Sequence, residues 1–319
     1  MQIISDCTVA AVKNAAKSLK DGHLVAFPTE TVYGLGADAT NKKAVSKIYS
    51  VKARPTDHPL IVHISSWSQA EKWARDIPEY AKTLSDIYWP GPITLILRRS
   101  NLAKDFVTGG QNSVGLRIPD QKIALMLVKE FEKIDGLGIA APSANKFRAV
   151  SPTTAEAVVD EIGAALGSLD LILDDGECKV GVESTIVDCT KEKPTILRPG
   201  AVTCEMIEKT LNIQISQGAI DSQLRAPGSF KSHYAPMARV ALDESAQPGD
   251  GLIALAGIPT PAGVMRLASP RNHEEYANAL FRALRLGDQK RLKKIVVLQP
   301  EGSGLALAIR DRLSKAASG

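Results

Sequence analysis

Lys52 and Arg54 stand two residues apart in VKARP (51–55), where a helical pattern ends before Pro55. A planar guanidinium beside a point-charge ammonium can clamp a phosphate or carboxylate. Two solvated cations favouring a helix C-terminus would look the same. Arg117, in SVGLRIP (113–119), interrupts an apolar strand and must leave through an edge or meet an anion, because an unpaired buried charge is expensive. Arg198, in LRPG (197–200), repeats the arrangement at another strand end. APSAN (141–145) supplies Ser143 and Asn145 just after a strand, and ESTIVD (183–188) supplies Ser184 and Thr185. His58 and His63, in HPLIVHI (58–64), lack a carboxylate at metal-ligand spacing and read as structural groups or as a hydrogen-bond partner for a substrate. FPTETVYGLG (27–36) adds the hydroxyls of Thr29 and Thr31, with Gly34 and Gly36 permitting close approach to the backbone. A strand-to-turn connection shaped by backbone geometry has the same composition.

Strand ends that carry Arg, Ser, Thr and Asn beside Gly or Pro form the ligand-binding edge of an α/β sheet. The chain has no GxxxxGK[ST] phosphate loop, no GxGxxG after a strand and no GxSxG elbow. The inventory suits a small polar anion together with a nucleotide. Chemistry there would rest on positioning and charge neutralisation rather than on a covalent nucleophile.

Those groups need elements to hold them. Val9, Val12, Ala16 and Leu19 recur at helical spacing and predict a helix over 8–20. A strand at 24–27 leads into the hydroxyl-rich loop, and a helix over 41–51 carries the Lys52–Arg54 pair at its end. Strands are predicted at 60–64, 93–97, 114–118, 138–141, 171–173, 184–189 and 195–198. Helices are predicted at 66–75, 78–88, 120–133 and near 203–211, with another opened by the cap and proline of SPTTAEAVVDEIGAAL from Ser151. This mixture argues an α/β or α+β domain of roughly two hundred residues, placed at 1–213. Residues 214–237 lose the apolar period and read as a linker or lid. Strand-like runs at 252–256 and 295–298 then alternate with helix-like ones at 273–287 and 303–316, predicting a smaller three-layer α/β domain over 238–319.

A chain of 319 residues suits two domains, and 44% hydrophobic with 23% charged residues is ordinary for a globular protein. The net charge of +4 tolerates an anionic ligand or nucleic acid without requiring one. Cys7, Cys178, Cys189 and Cys204 form no CxxC pair or zinc-spaced cluster and read as scattered reduced thiols. With no signal-peptide pattern and no apolar run near the ~20 residues of a membrane span, the sequence reads as soluble and cytoplasmic.

Taken in order, FPTETVYGLG, KARPTDHPLIVHI, WPGPITLIL, VGLRIPD, APSAN with its later SPT, ESTIVD and ILRPGA resemble the threonylcarbamoyl-AMP synthase family in its long, two-domain form. SHYAP (232–236) resembles the family's interdomain linker, and PEGSGLALAIRDRLSKAA (300–317) the end of its C-terminal domain. The resemblance implies an α/β fold: a YrdC-type twisted mixed sheet with flanking helices, followed by a smaller three-layer, Rossmann-like α/β domain. It implies a nucleotidyltransferase that joins L-threonine, bicarbonate and ATP, with Mg²⁺, into threonylcarbamoyl-AMP and pyrophosphate. Transferase proteins would then carry the group to tRNA, with possible contact to tRNA itself and no membrane.

Carried over position by position, Thr31, His63, Arg117, Ala141 (through its backbone) and Ser184 would contact threonine. Arg54, His58, Ser113, Ser143, Asn145, Ser151, Arg198 and Tyr234 would contact ATP. Lys52, with Arg54, would stabilise charge in the reaction; no residue is implied as a direct metal ligand. The chain departs from the family after SAN, where a small residue and a glycine are usual and Phe147 and Arg148 stand instead. Two other readings are a tRNA- or double-stranded-RNA-binding module without catalysis and a carbamoyl-adenylate-forming enzyme. Against them, the basic residues lack neighbouring exposed aromatics, and no CxxC zinc finger is present.

Overall fold

The computed structural model describes residues 1–215, 225, 228 and 233–319. Of the expected tether over 214–237, residues 216–224, 226–227 and 229–232 lie outside the described residues. The first unit runs β1 (Gln2–Ile4), α1 (Val9–Lys20), β2 (Val25–Phe27), β3 (Gly34–Asp38), α2 (Lys42–Lys52) and β4 (Ile61–His63). It continues through α3 (Trp67–Trp73), α4 (Glu79–Tyr88), β5 (Ile93–Arg98), α5 (Asp105–Thr108), β6 (Ser113–Arg117) and α6 (Lys122–Lys133). After β7 (Ile139–Ala140) come α7 (Ala155–Ile162), β8 (Leu171–Leu173), β9 (Thr185–Asp188), β10 (Thr195–Arg198) and α8 (Cys204–Leu211). The strands form one mixed sheet in the order β1-β8-β2-β3-β7-β4-β6-β5-β9-β10.

Both faces of this sheet are covered, which is why its strands read as apolar runs rather than as alternations. Val25 and Phe27 of β2, with Leu171 and Leu173 of β8, pack on the apolar stripes of α1 and α6. Their neighbours Leu24, Ala26 and Ile172 point to the other face, into a core shared with Ala44, Val45 and Ile48 of α2. Side-chain caps set several helix starts: Thr8 accepts from the Ala11 amide, Asn41 from those of Lys43 and Ala44, and Thr203 from that of Met206.

Two local expectations are corrected. Residues 34–36, read as part of the loop, open strand β3 (Gly34–Asp38), which is paired antiparallel with β2 and wholly buried. Its glycines conceal it, because they lower strand propensity. Gly36 is needed there, since a Cβ would lie 2.8 Å from Phe27 and 2.9 Å from Ile139. The helix expected to open at Ser151 begins at Ala155, where the Thr154 hydroxyl accepts from the Ala157 amide. Ser151 is left free of capping duty.

The second unit comprises β11 (Arg239–Leu242), β12 (Gly251–Ile253), β13 (Met265–Ala268), α9 (His273–Gln289), β14 (Lys294–Val297) and α10 (Leu305–Ala317). Its sheet is parallel, ordered β11-β14-β12-β13. The parallel α/β unit agrees with expectation, but its two helices share one face. Tyr276, Leu280 and Phe281 of α9 and Ile309 and Leu313 of α10 cluster with Val240, Ile253, Ile295 and Val297. The opposite face, with Ala241, Leu252 and Val296, is covered by Ala246, Ile258 and Val264 of the connections. The β11–β12 and β12–β13 connections hold no helix, so the third layer is irregular chain.

The units dock through α9 and α10. Val32, Val150 and Val182 of the first unit belong to the core cluster of the second. Asn278 donates to the carbonyls of Cys178 (2.9 Å) and Lys179 (3.1 Å), and Arg285 pairs with Glu161 at 3.0 Å. Gly181, at φ +81°, lets the backbones meet: a Cβ there would stand 2.4 Å from the Asn278 Cα.

Candidate functional site

One cavity gathers the strand ends. Thr31, Arg54, His63, Arg117, Ala141, Ser143, Ser184, Arg198 and Tyr234 line it, together with Thr29, Val32, Gly34, Ile61, Pro142, Glu183, Gly228 and His233. The topology explains the convergence. Strand β4 runs parallel to β6 with His63 opposite Arg117, so the imidazole and the guanidinium emerge side by side. An isolated bridge between Gly34 and Ser143 sets the APSAN loop against the end of β3.

The threonines of the 27–36 stretch divide the work. The Thr29 hydroxyl donates to the Val32 carbonyl at 2.7 Å and accepts from the Thr31 and Val32 amides, both at 3.2 Å. It therefore fixes the turn. Thr31, fully buried, reaches the cavity 2.8 Å from the Thr29 oxygen.

Arg117 is held from behind. Its Nη2 donates to Glu30 Oε1 at 2.6 Å, while the other Glu30 oxygen accepts from the Asp120 amide at 3.1 Å. The Nε has no partner among the described residues. Burial, reinforced by Arg117, holds the His63 imidazole down to a pKa of about 3, so it is neutral at any ordinary pH.

Arg54 follows the left-handed cap residue Ala53 (φ 49°), which turns α2 out toward the cavity. Its Nη2 donates to the Pro59 carbonyl at 3.0 Å, its Nε is unpartnered among the described residues, and burial lowers its pKa to about 10. Lys52 sits differently. It is 1% exposed and does not line the cavity; its Nζ donates to the carbonyls of Ser143 (2.6 Å) and Asn145. Burial, then Arg54, drives its pKa well below the ordinary lysine value. In this arrangement Lys52 braces the APSAN loop.

Arg198 Nε donates to the Ser184 carbonyl at 3.0 Å and its Nη2 to the Ser184 hydroxyl at 3.1 Å. Thr94 meets that hydroxyl from β5 at 2.8 Å. Thr185 turns away and donates to the Val202 carbonyl at 2.6 Å. Asn145 Nδ2 donates to the carbonyls of Lys146 (2.7 Å) and Ala149 (2.9 Å), leaving Oδ1 unpartnered among the described residues. Ser151 donates to Glu183 Oε1 at 2.6 Å.

Neither Asn145 nor Ser151 lines the cavity, nor do His58 and Ser113. Ser113 stands at the opposite end of β6 from Arg117. Tyr234 (φ 62°) is buried, its ring stacked on Phe281 at 5.4 Å.

The family's usual glycine is explained by Arg148, whose φ is +70°. The Arg148 side chain is exposed, and its carbonyl accepts from the Ala235 amide at 3.1 Å. Phe147 lies 5.2 Å from the His58 ring and 5.9 Å from the Arg54 guanidinium.

Four residues escaped the sequence reading. Glu30 lay inside a quoted motif without a role. Glu183 was passed over for the hydroxyls beside it. Burial would raise its pKa, but the guanidiniums of Arg312 and Arg198 hold it at about 2. His233, kept neutral mainly by burial at about 3, lines the cavity beside Tyr234. Arg312 comes from the other domain, and no local pattern marks it.

A family model described as telomere recombination, that of the Sua5/YciO/YrdC domains, matches residues 17–200. A second, described as the C-terminal domain of threonylcarbamoyl-AMP synthase, matches residues 202–318. The threonylcarbamoyl-AMP synthase of Pyrococcus abyssi is 40% identical, the match covering 96% of this chain and 93% of that protein. That of Bacillus subtilis is 39% identical, covering 97% and 93%. The structure of P. abyssi Sua5 complexed with L-threonine is similar at TM-score 0.88 and 37% identity, covering 99% of this chain and 97% of that one. The chain belongs to the threonylcarbamoyl-AMP synthase family, in its two-domain form.

Proposed function

We propose that the protein condenses L-threonine, bicarbonate and ATP into threonylcarbamoyl-AMP and pyrophosphate. The observation that carries this reading is the pairing of two guanidinium nitrogens, Nε of Arg54 and Nε of Arg117, that have no partner among the described residues and belong to side chains lining one cavity. Each is fixed from behind through Nη2, as an anion receptor should be. Arg117 would take the threonine carboxylate, with Thr31, neutral His63, the Ala141 backbone and Ser184 around the rest of the amino acid. Arg54, Arg198, Ser143 and Tyr234 would take the nucleotide, with His58, Ser113, Asn145 and Ser151 supporting it from outside the cavity wall.

In this mechanism the threonine amine adds to the carbon of bicarbonate and water is lost, giving a carbamate. A carbamate oxygen then attacks the α-phosphorus of ATP in line, and the bond to the β-phosphate oxygen breaks as pyrophosphate leaves. The chain supplies alignment and a field of positive charge for the triphosphate; Lys52 contributes by holding the Ser143–Asn145 loop. Mg²⁺ would enter with ATP and offset phosphate charge. Among the described residues no cluster of three or more His, Cys, Asp or Glu side chains gathers, so phosphates and water are proposed to hold it. The adenylate would pass to a transferase that modifies adenosine in tRNA, and the enzyme is a nucleotidyltransferase in this scheme.

Pyrophosphate release from ATP, with Mg²⁺ and with bicarbonate and threonine each added or withheld, tests the reading. Release requiring both is expected, with serine and valine supporting less. Release independent of threonine, or none from the folded protein, would reject it.

A further inference from the structure

Helix α10 meets the catalytic unit at its start and through Arg312, and meets the chain ahead of β11 near its end. The Gly304 amide donates to Glu205 Oε1 at 3.3 Å, and the Lys315 carbonyl accepts from the His233 amide at 3.3 Å. Between them Arg312, 0% exposed, grips Glu183 twice: Nε donates to its Oε2 at 2.8 Å and Nη2 to its backbone carbonyl at 3.3 Å. The other Glu183 oxygen accepts from Ser151 at 2.6 Å, and the next residue is Ser184, in the cavity wall. The same guanidinium stands 5.5 Å from the centre of the Tyr234 ring.

A well-packed apolar pair would join two domains at least as strongly as a buried ion pair. What only the ion pair supplies is an ionised Glu183 with its lone pairs and its peptide fixed. We infer that the C-terminal domain completes the active site through Arg312, a positioning residue that sets Glu183 and, through it, Ser151 and Ser184. The inference rests on the proposed ATP and threonine site. It gives the C-terminal domain a part in substrate binding as well as in closure.

The test uses the full-length chain with Arg312→Met, Arg312→Lys and the double variant Arg312→Met/Glu183→Gln. Binding of ATP and threonine would be followed by calorimetry, and pyrophosphate release from pH 5 to 9. The groups facing Glu183 are Arg312 of α10, itself paired with Asp311, Arg198 of β10, and His233 and Tyr234 ahead of β11. All but Arg312 remain in the Met variant. Without Arg312, Glu183 should take up a proton as the pH falls, losing the charge that strengthens its bond from Ser151 and the fixed orientation of its carboxylate. Arg312→Met is therefore expected to lower kcat/KM for ATP on the order of 100-fold and to add an acidic limb absent from the wild type. The double variant should lose the limb, and Arg312→Lys should recover part of the activity.

Wild-type kcat/KM in Arg312→Met, or a loss that is equal at every pH and matched by the unfolded fraction, would overturn the inference. Should the Met variant fail to fold, Arg312→Lys decides: a raised KM for ATP in a folded protein supports it, and wild-type constants overturn it. A wild type that binds both ligands but releases no pyrophosphate would reject the proposed reaction, and the variants' binding losses would still decide on Arg312.

Discussion

In the proposed site Arg117 divides between structure and ligand: Nη2 is committed to Glu30, and Nε has no partner among the described residues. Arg117→Ala removes the carboxylate's partner and is expected to raise KM for threonine roughly 10- to 100-fold while changing ATP binding far less. Steady-state kinetics with each substrate varied in turn would show equal losses if the assignment is wrong. Glu30→Gln keeps the shape but loses the anchoring charge. It should move threonine KM in the same direction by about tenfold, with kcat nearly unchanged. The histidines carry a pH signature. His63 and His233 have pKa values of about 3 in the fold against 6.5 when unfolded, so below pH 6.5 the unfolded chain binds the extra protons. Their contribution to stability is fully present above that pH and is lost as the pH falls toward 3. The loss reaches up to about 1.4 kcal/mol per pH unit for each ring. Denaturant unfolding at a series of pH values should show this slope, and His63→Gln should roughly halve it.

At the scale of elements, β3 is the hidden one. It joins β2 to β7 near the centre of the sheet, and it carries Gly36 because the side chains of Phe27 and Ile139 fill the space a Cβ would take. Gly36→Ala should therefore cost about 1–3 kcal/mol by overpacking, read as a lowered denaturation midpoint at unchanged slope. Activity should fall with it, because β3 positions the Gly34–Ser143 bridge at the cavity. A neutral Gly36→Ala would show that the sheet can spread there at no cost. The start of α7 teaches the same lesson: Ser151 has the composition of a cap, yet its hydroxyl is committed to Glu183, and Thr154 caps instead.

In the whole molecule the cavity belongs to the first unit and is bordered by Gly228, His233 and Tyr234 of the chain ahead of β11. Tyr234 is part of the second unit's core, beside Phe281, while also lining the site. A chain ending at residue 213 should keep its first sheet, since the two main cores of that sheet lie within it apart from Ile215. It should lose most turnover, because Val32, Val150 and Val182 would be uncovered and Glu183 would lose its bonds from Arg312. Far-UV circular dichroism with pyrophosphate release would check both halves, and full turnover from the truncated chain would reject the closure role. The sequence by itself determined the order of most helices and strands and the loops that carry the chemistry, because apolar periodicity and turn residues act over a few positions. It also marked Arg117, Ser184 and Arg198, polar at the ends of apolar strands, Ser143 just beyond such a strand, and Arg54 at a helix end before proline. Only the tertiary structure decided that Lys52 faces carbonyls, that Glu30 holds Arg117, and that Arg312 meets Glu183 across 129 positions of chain. Those roles depend on which groups share a buried volume, and the electrostatic cost of an unpaired charge there is set by three-dimensional neighbours that local spacing does not encode.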